Sequence, residues 1–266
     1  MTLTQLETGW SPHTPVDDTL TRRFLLHWSE ACQAIATASN GRILSTPLLR
    51  AADAGHPNGW FNVAVLLQPM RPDNVRKILA SVDEFVGGSS TGFQLWSLWP
   101  TPDLSDGGWE LLGYPPLLAR PPAPAPERMP GSPQVTPVHT ADQLASWEQV
   151  AIEGYPLDDV PQDRPGVIAD PALLEDHRFR FWIGRDAGRP VSIGALFAER
   201  DLASFILGVT LPGARGQGHW AAHAAARLET VADRWVAGVF SDYSRPLAER
   251  IGFTPLTRFT LWNLDR

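Results

Sequence analysis

A mixed α/β sheet architecture built in two halves is the fold class this 266-residue sequence predicts. Three observations predict it. Between 121 and 137, Pro121, Pro122, Pro124, Pro126, Pro130, Pro133 and Pro137 are interleaved with Ala, Gly and Ser. Each proline fixes its own φ and pushes the residue before it towards extended geometry, so the segment is a semi-rigid spacer. It separates an N-terminal domain, 1–120, from a C-terminal domain, 134–266, with 121–133 as the linker, and each part is near the usual domain size. The second observation is a run of adjacent strand candidates, Phe179 to Ile183, Val191 to Glu199 and Phe205 to Leu211. The third is the strand–helix–strand unit that follows them, which together with the adjacent strands makes a mixed sheet.

In the first half, Leu20 to Ala38 reads as a helix because Phe24, Leu25, Trp28, Cys32 and Ile35 recur at helical spacing. Phe61 to Leu67 reads as a buried strand, entered through the turn signal Pro57-Asn58-Gly59. Val75, Ile78, Leu79, Val82 and Phe85 give a second amphipathic helix, which Gly87-Gly88 ends. Phe93 to Trp99 is a strand, Leu104 to Leu112 a short helix, and Pro116 to Ala119 a last extended piece.

The second half opens with an extended piece near Val135 to His139. Thr140-Ala141-Asp142-Gln143 has the form of a capping box, so a helix follows through Leu144, Trp147, Val150 and Ala151. Tyr155 to Pro165 is loop, and Asp170-Pro171 starts a short helix. Turns at Asp186-Ala187-Gly188 and Arg200-Asp201 separate the strand candidates. A helix of about 18 residues follows a glycine-bearing turn, its apolar stripe running on through Ala224, Leu228, Val231 and Trp235. A strand (Val236 to Phe240), a short helix (Pro246 to Ile251) and a strand (Phe259 to Leu264) complete the order.

Composition narrows the function. Hydrophobic residues make up 43% and charged residues 19%, enough for a core and unlike a disordered polyampholyte. The longest apolar runs, such as Phe61 to Leu67, fall far short of the roughly 20 residues of a membrane span. The N-terminus lacks the basic and apolar regions of a secretory signal, and the lone Cys32 forms no internal disulfide, so the cytoplasm is the expected compartment. A net charge of -7 argues against a nucleic-acid partner and tolerates cationic ones, amines among them.

The informative stretch is Ile206-Leu207-Gly208-Val209-Thr210-Leu211-Pro212-Gly213-Ala214-Arg215-Gly216-Gln217-Gly218-His219-Trp220. A buried strand enters a turn with two glycines, and a long Ala-rich helix begins at once. A helix start carries unpaired N–H groups and the positive end of the dipole, and glycines let backbone approach a bulky anion, so the stretch is a pyrophosphate cradle. It is neither the P-loop, since no Gly-Lys-Ser/Thr follows, nor the dinucleotide fingerprint, since the third glycine is missing. An ordinary strand-to-helix turn is the alternative. His219 and His223 stand four apart on one helix face, but without a third ligand they do not make a metal site.

Val209, Pro212 and Arg215-Gly216-Gln217-Gly218-His219-Trp220 resemble the acetyl-CoA signature of the GNAT N-acetyltransferase superfamily, Gln/Arg-x-x-Gly-x-Gly/Ala. Ser241-Asp242-Tyr243-Ser244-Arg245-Pro246-Leu247-Ala248-Glu249-Arg250-Ile251-Gly252-Phe253 resembles its second landmark, a short helix closing in Gly-Phe. The resemblance covers roughly Gln134 to Arg266. The first half repeats the strand–helix order without a phosphate turn, with Gln68-Pro69-Met70-Arg71-Pro72-Asp73-Asn74 in that slot, and looks like a smaller, degenerate second copy, as in tandem GNAT proteins.

The resemblance implies an acetyl-CoA-dependent N-acetyltransferase, EC 2.3.1 type, in which a primary amine attacks the thioester directly in a ternary complex. Arg215, Gly216, Gln217, Gly218, His219 and Trp220 would hold the pyrophosphate through their N–H groups. Gly208, Val209 and Thr210 would pair with the pantetheine arm, and a strand N–H there would polarise the thioester carbonyl. Glu199 ends a strand near the family's usual base, with a solvated strand end as the other reading. The usual Tyr acid is replaced by Ala248, which leaves Tyr243 and Ser244 as nearby substitutes. The signature's small residue is Trp220, whose ring either narrows the cradle or points back into the sheet. Glu153 and Tyr155 leave the first C-terminal helix where such proteins line the acceptor cleft, with a plain surface loop as the other reading. The acceptor would be a small-molecule or peptide amine, with no metal, no nucleic acid and no membrane, and a homodimer is compatible. The other function class is a non-catalytic CoA-binding or protein-interaction module.

Overall fold

A computed structural model of the chain describes residues 19–264, apart from 58, 90, 156, 158–159 and 161–164. The expected N-terminal features, Asn58 of the expected turn and part of the expected 155–165 loop therefore lie outside the described residues. In the first half, α1 (Thr19–Ala38) buries Phe24, Leu25, Trp28, Cys32 and Ile35, the stripe that predicts it. A hairpin follows, β1 (Arg42–Ser45) antiparallel to β2 (Leu49–Asp53), which hydropathy alone does not signal because β1 is short and largely exposed. β3 (Val63–Leu66) is buried throughout. α2 (Val75–Gly87) buries Val75, Ile78, Val82 and Val86 and is capped at Gly88. β4 (Phe93–Ser97) runs parallel to β3. The helix expected over Leu104 to Leu112 is instead a 3-10 turn, Ser105–Gly107, followed by β5 (Glu110–Gly113); Gly108, at φ 82°, stops the turn after one winding. β6 is Pro116–Arg120.

In the second half, β7 (Val135–Pro137) leads to α3 (Ala141–Gly154). The capping box is complete: the Thr140 hydroxyl accepts from the Gln143 N–H, and the Gln143 side chain accepts from the Thr140 N–H. A 3-10 turn (Pro171–Leu174) is capped by Asp170. β8 (Phe179–Asp186), β9 (Arg189–Glu199) and β10 (Leu202–Thr210) form an antiparallel meander. α4 spans only His219–Glu229, shorter than expected, and the Thr230 hydroxyl donates to the Arg227 carbonyl at its end. Trp235 consequently starts a strand and does not extend the helix stripe. β11 (Trp235–Val239), α5 (Arg245–Arg250), β12 (Thr254–Arg258) and β13 (Thr260–Leu264) complete the chain's regular structure.

The strands build two mixed sheets, β1-β2-β3-β4-β13-β5 and β12-β6-β11-β10-β9-β8-β7. β13 pairs antiparallel with both β4 (Trp262 opposite Leu95) and β5 (Trp262 opposite Leu111). β6, which precedes the prolines, lies between β11 and β12. Each sheet thus takes a strand from across the proline-rich segment, which holds no helix or strand between Pro121 and Gln134. Such long-range pairing leaves no local pattern in the sequence. By contacts, one compact unit runs to Leu117 and resumes at Leu256, and the other is Leu118–Pro255.

In the second unit, the two faces of the sheet are covered differently. Trp147 of α3 meets Phe181 edge-on at 5.2 Å, and Gly154 of α3 packs so closely on Val209 that a Cβ there would lie 2.5 Å from Val209 Cγ2. On the opposite face, Trp182, Leu196, Ala203 and Phe205 pack with Ala222, Ala224 and Leu228 of α4. One sheet held between helices on both faces makes the core and fixes the ends of β10 and α4.

Candidate functional site

β10 pairs with its parallel neighbour β11 only from Leu202 to Phe205, and its register with β9 shifts between Phe205 and Gly208. Past the bulge, β10 stays with β9 and leaves β11. Parallel strands that part at their C-terminal ends open a crevice there. Gly208 is exposed, and Val209 and Thr210 are half-buried along this edge. The Leu211 N–H donates to the Val191 carbonyl at 2.9 Å. Antiparallel alternation then turns the N–H and C=O of Gly208 and Thr210 away from β9. The Thr210 carbonyl accepts from Arg215 Nε at 3.2 Å. The Tyr155 hydroxyl takes both groups of Gly208, accepting from its N–H at 3.2 Å and donating to its carbonyl at 2.9 Å.

The chain leaves this edge through a 3-10 turn (Pro212–Ala214), an extended Arg215, and Gly216 and Gly218 at φ 79° and 86°. Left-handed backbone of this kind strains any residue with a Cβ. A Cβ at Gly216 would meet nothing within 4 Å among the described residues. Gly218 is the N-cap of α4 and brings no side-chain acceptor to the first-turn N–H groups. Those donors, at the positive end of the dipole, fit a phosphate. Arg215 and Gln217 are exposed. Trp220 is half-buried and packs on the core cluster containing Leu196 and Phe205, so its ring points back to the sheet and not across the turn.

Beneath the turn lies a buried polar spine. His219, His223 and Arg227 follow one another at four-residue spacing on the sheet-facing side of α4. The Ser192 hydroxyl is 2.9 Å from His219 Nδ1 and 3.0 Å from His223 Nε2. The sheet makes room with Gly184 and Gly194; a Cβ at Gly194 would sit 3.1 Å from His223 Nδ1 and 3.2 Å from the Arg227 guanidinium. Arg227 donates to the carbonyls of His223, Ala195 and Leu207 and lies 3.7 Å over the Phe205 ring. Burial pulls its pKa down to about 9, against the field of Tyr155. Burial, then the charges of Arg227 and His219, holds His223 well below the usual imidazole range. Burial lowers His219 as well. Among the described residues no group of His, Cys, Asp and Glu gathers as a metal site requires.

The other residues singled out by sequence fall in different places. Glu199 lies opposite Leu202, six positions before Gly208 on β10, or roughly 20 Å along the strand. It stands 3.8 Å from Arg178 and 3.9 Å from Arg200. The structure does not bring it to the crevice. Tyr243 follows β11, at the same end of the sheet as Gly208, but its side chain is 94% exposed. The Ser244 hydroxyl is tied to Ser241. Ala248 is fully buried, so core packing fills the position of the expected acid. Glu153 is 3.6 Å from Arg189 and lines a cavity of about 470 Å³ with Ser146, Gln149 and Pro190. Sequence reasoning misses Ser192 and Arg227, although the four-residue spacing of His219, His223 and Arg227 is a legible signal. It also misses Glu148, whose buried carboxylate accepts from the N–H groups of Gly166, Ile168 and Ala169 and so holds that loop to α3.

Similar architecture occurs in solved structures. A GCN5-related N-acetyltransferase from Kribbella flavida superposes with a TM-score of 0.63 at 18% identity, covering 88% of this chain and 94% of that one. A conserved protein of unknown function from Staphylococcus epidermidis gives 0.59 at 12% identity, covering 85% and 94%. A tandem GNAT protein from the clavulanic acid biosynthesis pathway, solved without acetyl-CoA, gives 0.51 at 13% identity, covering 99% and 98%. No protein-family model and no curated protein matches the sequence. The chain has the tandem GNAT fold, with mixed α/β sheets in both halves.

Proposed function

We propose that this protein, built on the tandem GNAT fold, is an acetyl-CoA-dependent N-acetyltransferase acting on a small-molecule or peptide amine. One observation carries the reading: the exposed outward edge of β10 runs directly into a two-glycine turn and the uncapped start of α4. The outward N–H of Thr210 would align an extended amide-bearing arm as a neighbouring strand does, next to Gly208, whose own outward groups the Tyr155 hydroxyl holds. The N–H groups from Gly216 to Trp220 would hold the pyrophosphate, the Arg215 N–H being taken by the Pro212 carbonyl. Acetyl-CoA supplies an activated acyl thioester when bound. The amine attacks directly, and the protein's part is to align the two and to manage one proton at each end. The lone Cys32 is buried in α1 and suits a reducing, cytoplasmic setting. No helix among the described residues is long and apolar enough to cross a membrane.

A second reading, a CoA-binding module without turnover, draws on the buried Ala248 and the solvent-facing Tyr243. One experiment separates the two. CoA binding is measured by calorimetry, and thiol release from acetyl-CoA is followed with a polyamine, an aminoglycoside, free amino acids and a peptide N-terminus. Binding with turnover supports transfer; binding without turnover supports the module; no binding refutes both.

A further inference from the structure

Tyr155 and Arg227 meet at Gly208 from opposite sides of the sheet. Tyr155 caps α3, on one face, and its hydroxyl holds the outward N–H and C=O of Gly208. Arg227 belongs to α4, on the other face, and its nitrogens lie 3.7 and 3.8 Å from where a Gly208 Cβ would be. The buried guanidinium thus lies within van der Waals range of this position, and its field reaches the phenol at the crevice edge. Arg227 bonds only backbone carbonyls among its described partners, so no carboxylate there neutralises it. Among the described residues, Glu153 on α3 faces Arg189, and Arg227 is a charged side chain whose field reaches the phenol.

We propose that the Tyr155 hydroxyl is the proton donor to the departing thiolate, and that Arg227 is the positioning residue that stabilises its phenolate. The proposal rests on the acyl-transfer reading. As the bond from amine nitrogen to carbonyl carbon forms, the carbon–sulfur bond breaks and sulfur leaves with the electron pair. Rotation about the Cζ–Oη bond swings the phenol proton from the Gly208 carbonyl to sulfur. The phenolate keeps the Gly208 N–H as a donor and lies in the field of Arg227. It recovers its proton from the one the amine nitrogen loses, so one amine and one thioester give one amide and one thiol. Burial raises the Tyr155 pKa, against the pull of the Gly208 N–H and Arg227, which keeps the donor protonated at neutral pH. The alternatives drop out on geometry, since Ala248 has no proton to give, Tyr243 points into solvent and Ser244 is held by Ser241.

The test is Tyr155→Phe in the full chain, assayed with the best amine from the panel above. The expected result is a fall in kcat of at least tenfold, within the range general acids contribute, with CoA affinity unchanged within threefold. Fluorinated tyrosine incorporated at 155 preserves shape and lowers the phenol pKa, so the alkaline limb of the kcat profile should move to lower pH by the same amount. Unchanged kcat in the Phe variant, or an unmoved limb, overturns the proposal while leaving acyl transfer intact. Tighter CoA binding with unchanged kcat assigns the phenol to covering an unused edge, which also overturns it. A native chain that binds no CoA, or turns over no amine, overturns the underlying reading and this one together.

Discussion

Acid should destabilise this protein before most of its carboxylates are protonated, and His56 shows why. Its ring is 3% exposed and packs edge-on against Phe61 at 5.5 Å, and its Nε2 has no hydrogen-bond partner among the described residues. Burial lowers its pKa from 6.5 to about 4, with Asp53 pulling weakly the other way. The unfolded chain takes up this proton near 6.5, and the folded chain refuses it until about 4. Between those values the unfolded state binds more protons, so stability is complete above the window and falls as pH drops through it. At about pH 5 the gap from the unfolded pKa is about 1.5 units, so His56 alone costs roughly 2 kcal/mol at about 1.4 kcal/mol per unit. His223 is shifted in the same direction and adds to the loss. Urea unfolding followed by tryptophan fluorescence, at neutral and mildly acidic pH, measures the effect in the native chain and in His56→Leu. The native chain should lose about 2 kcal/mol more than the variant between neutrality and about pH 5. Equal pH slopes for the two proteins would refute the assignment of a buried neutral imidazole.

Three further outcomes follow from the site. Gly218→Glu places a carboxylate and a strained left-handed residue at the turn, and calorimetry should show CoA affinity down at least about tenfold, or about 1.4 kcal/mol. Trp220→Ala should destabilise the fold by about 2 kcal/mol, less than a fully buried Trp truncation, and leave CoA affinity unchanged; tighter binding would mean that the ring obstructs the turn. Glu148→Ala leaves several loop N–H groups without their acceptor and should cost roughly 3 kcal/mol or more in equilibrium unfolding, with Glu148→Gln milder.

What the sequence makes legible is local. The stripe of α1, the capping box of α3 and the glycines at 216 and 218 each announce themselves within a few residues, because helix spacing, end chemistry and positive φ are short-range constraints. The failures have equally definite causes. Apolar periodicity runs on past Glu229, so α4 looks longer than it is until the Thr230 hydroxyl is seen bonded to Arg227. β1 and β12 are exposed edge strands with little alternation to read. Glu199 is near β10 in sequence, but a hairpin turn sends it to the wrong end of that strand. Tyr155 can be picked out as the end of a helix at the cleft. Its hold on Gly208, and the guanidinium waiting on the far face, depend on a sheet that brings 155, 208 and 227 together. Arg227 is one arginine among many until its burial is known.

The position of β13 has a consequence for how the protein is made. β4 and β5 are each paired to β13, so residues 93–97 and 110–113 flank an open slot until 260–264 have been synthesised. A ribosome working at roughly 5 to 20 residues per second needs about 7 to 30 seconds to cover that stretch. For that time two strands present unpaired N–H and C=O groups, the template on which stray strands dock. Splitting the gene at the proline-rich segment would not give two self-sufficient products, since each piece would carry away a strand that the other sheet holds in its interior. The two pieces therefore depend on each other, and β13 completes a sheet whose other strands lie before the proline-rich segment.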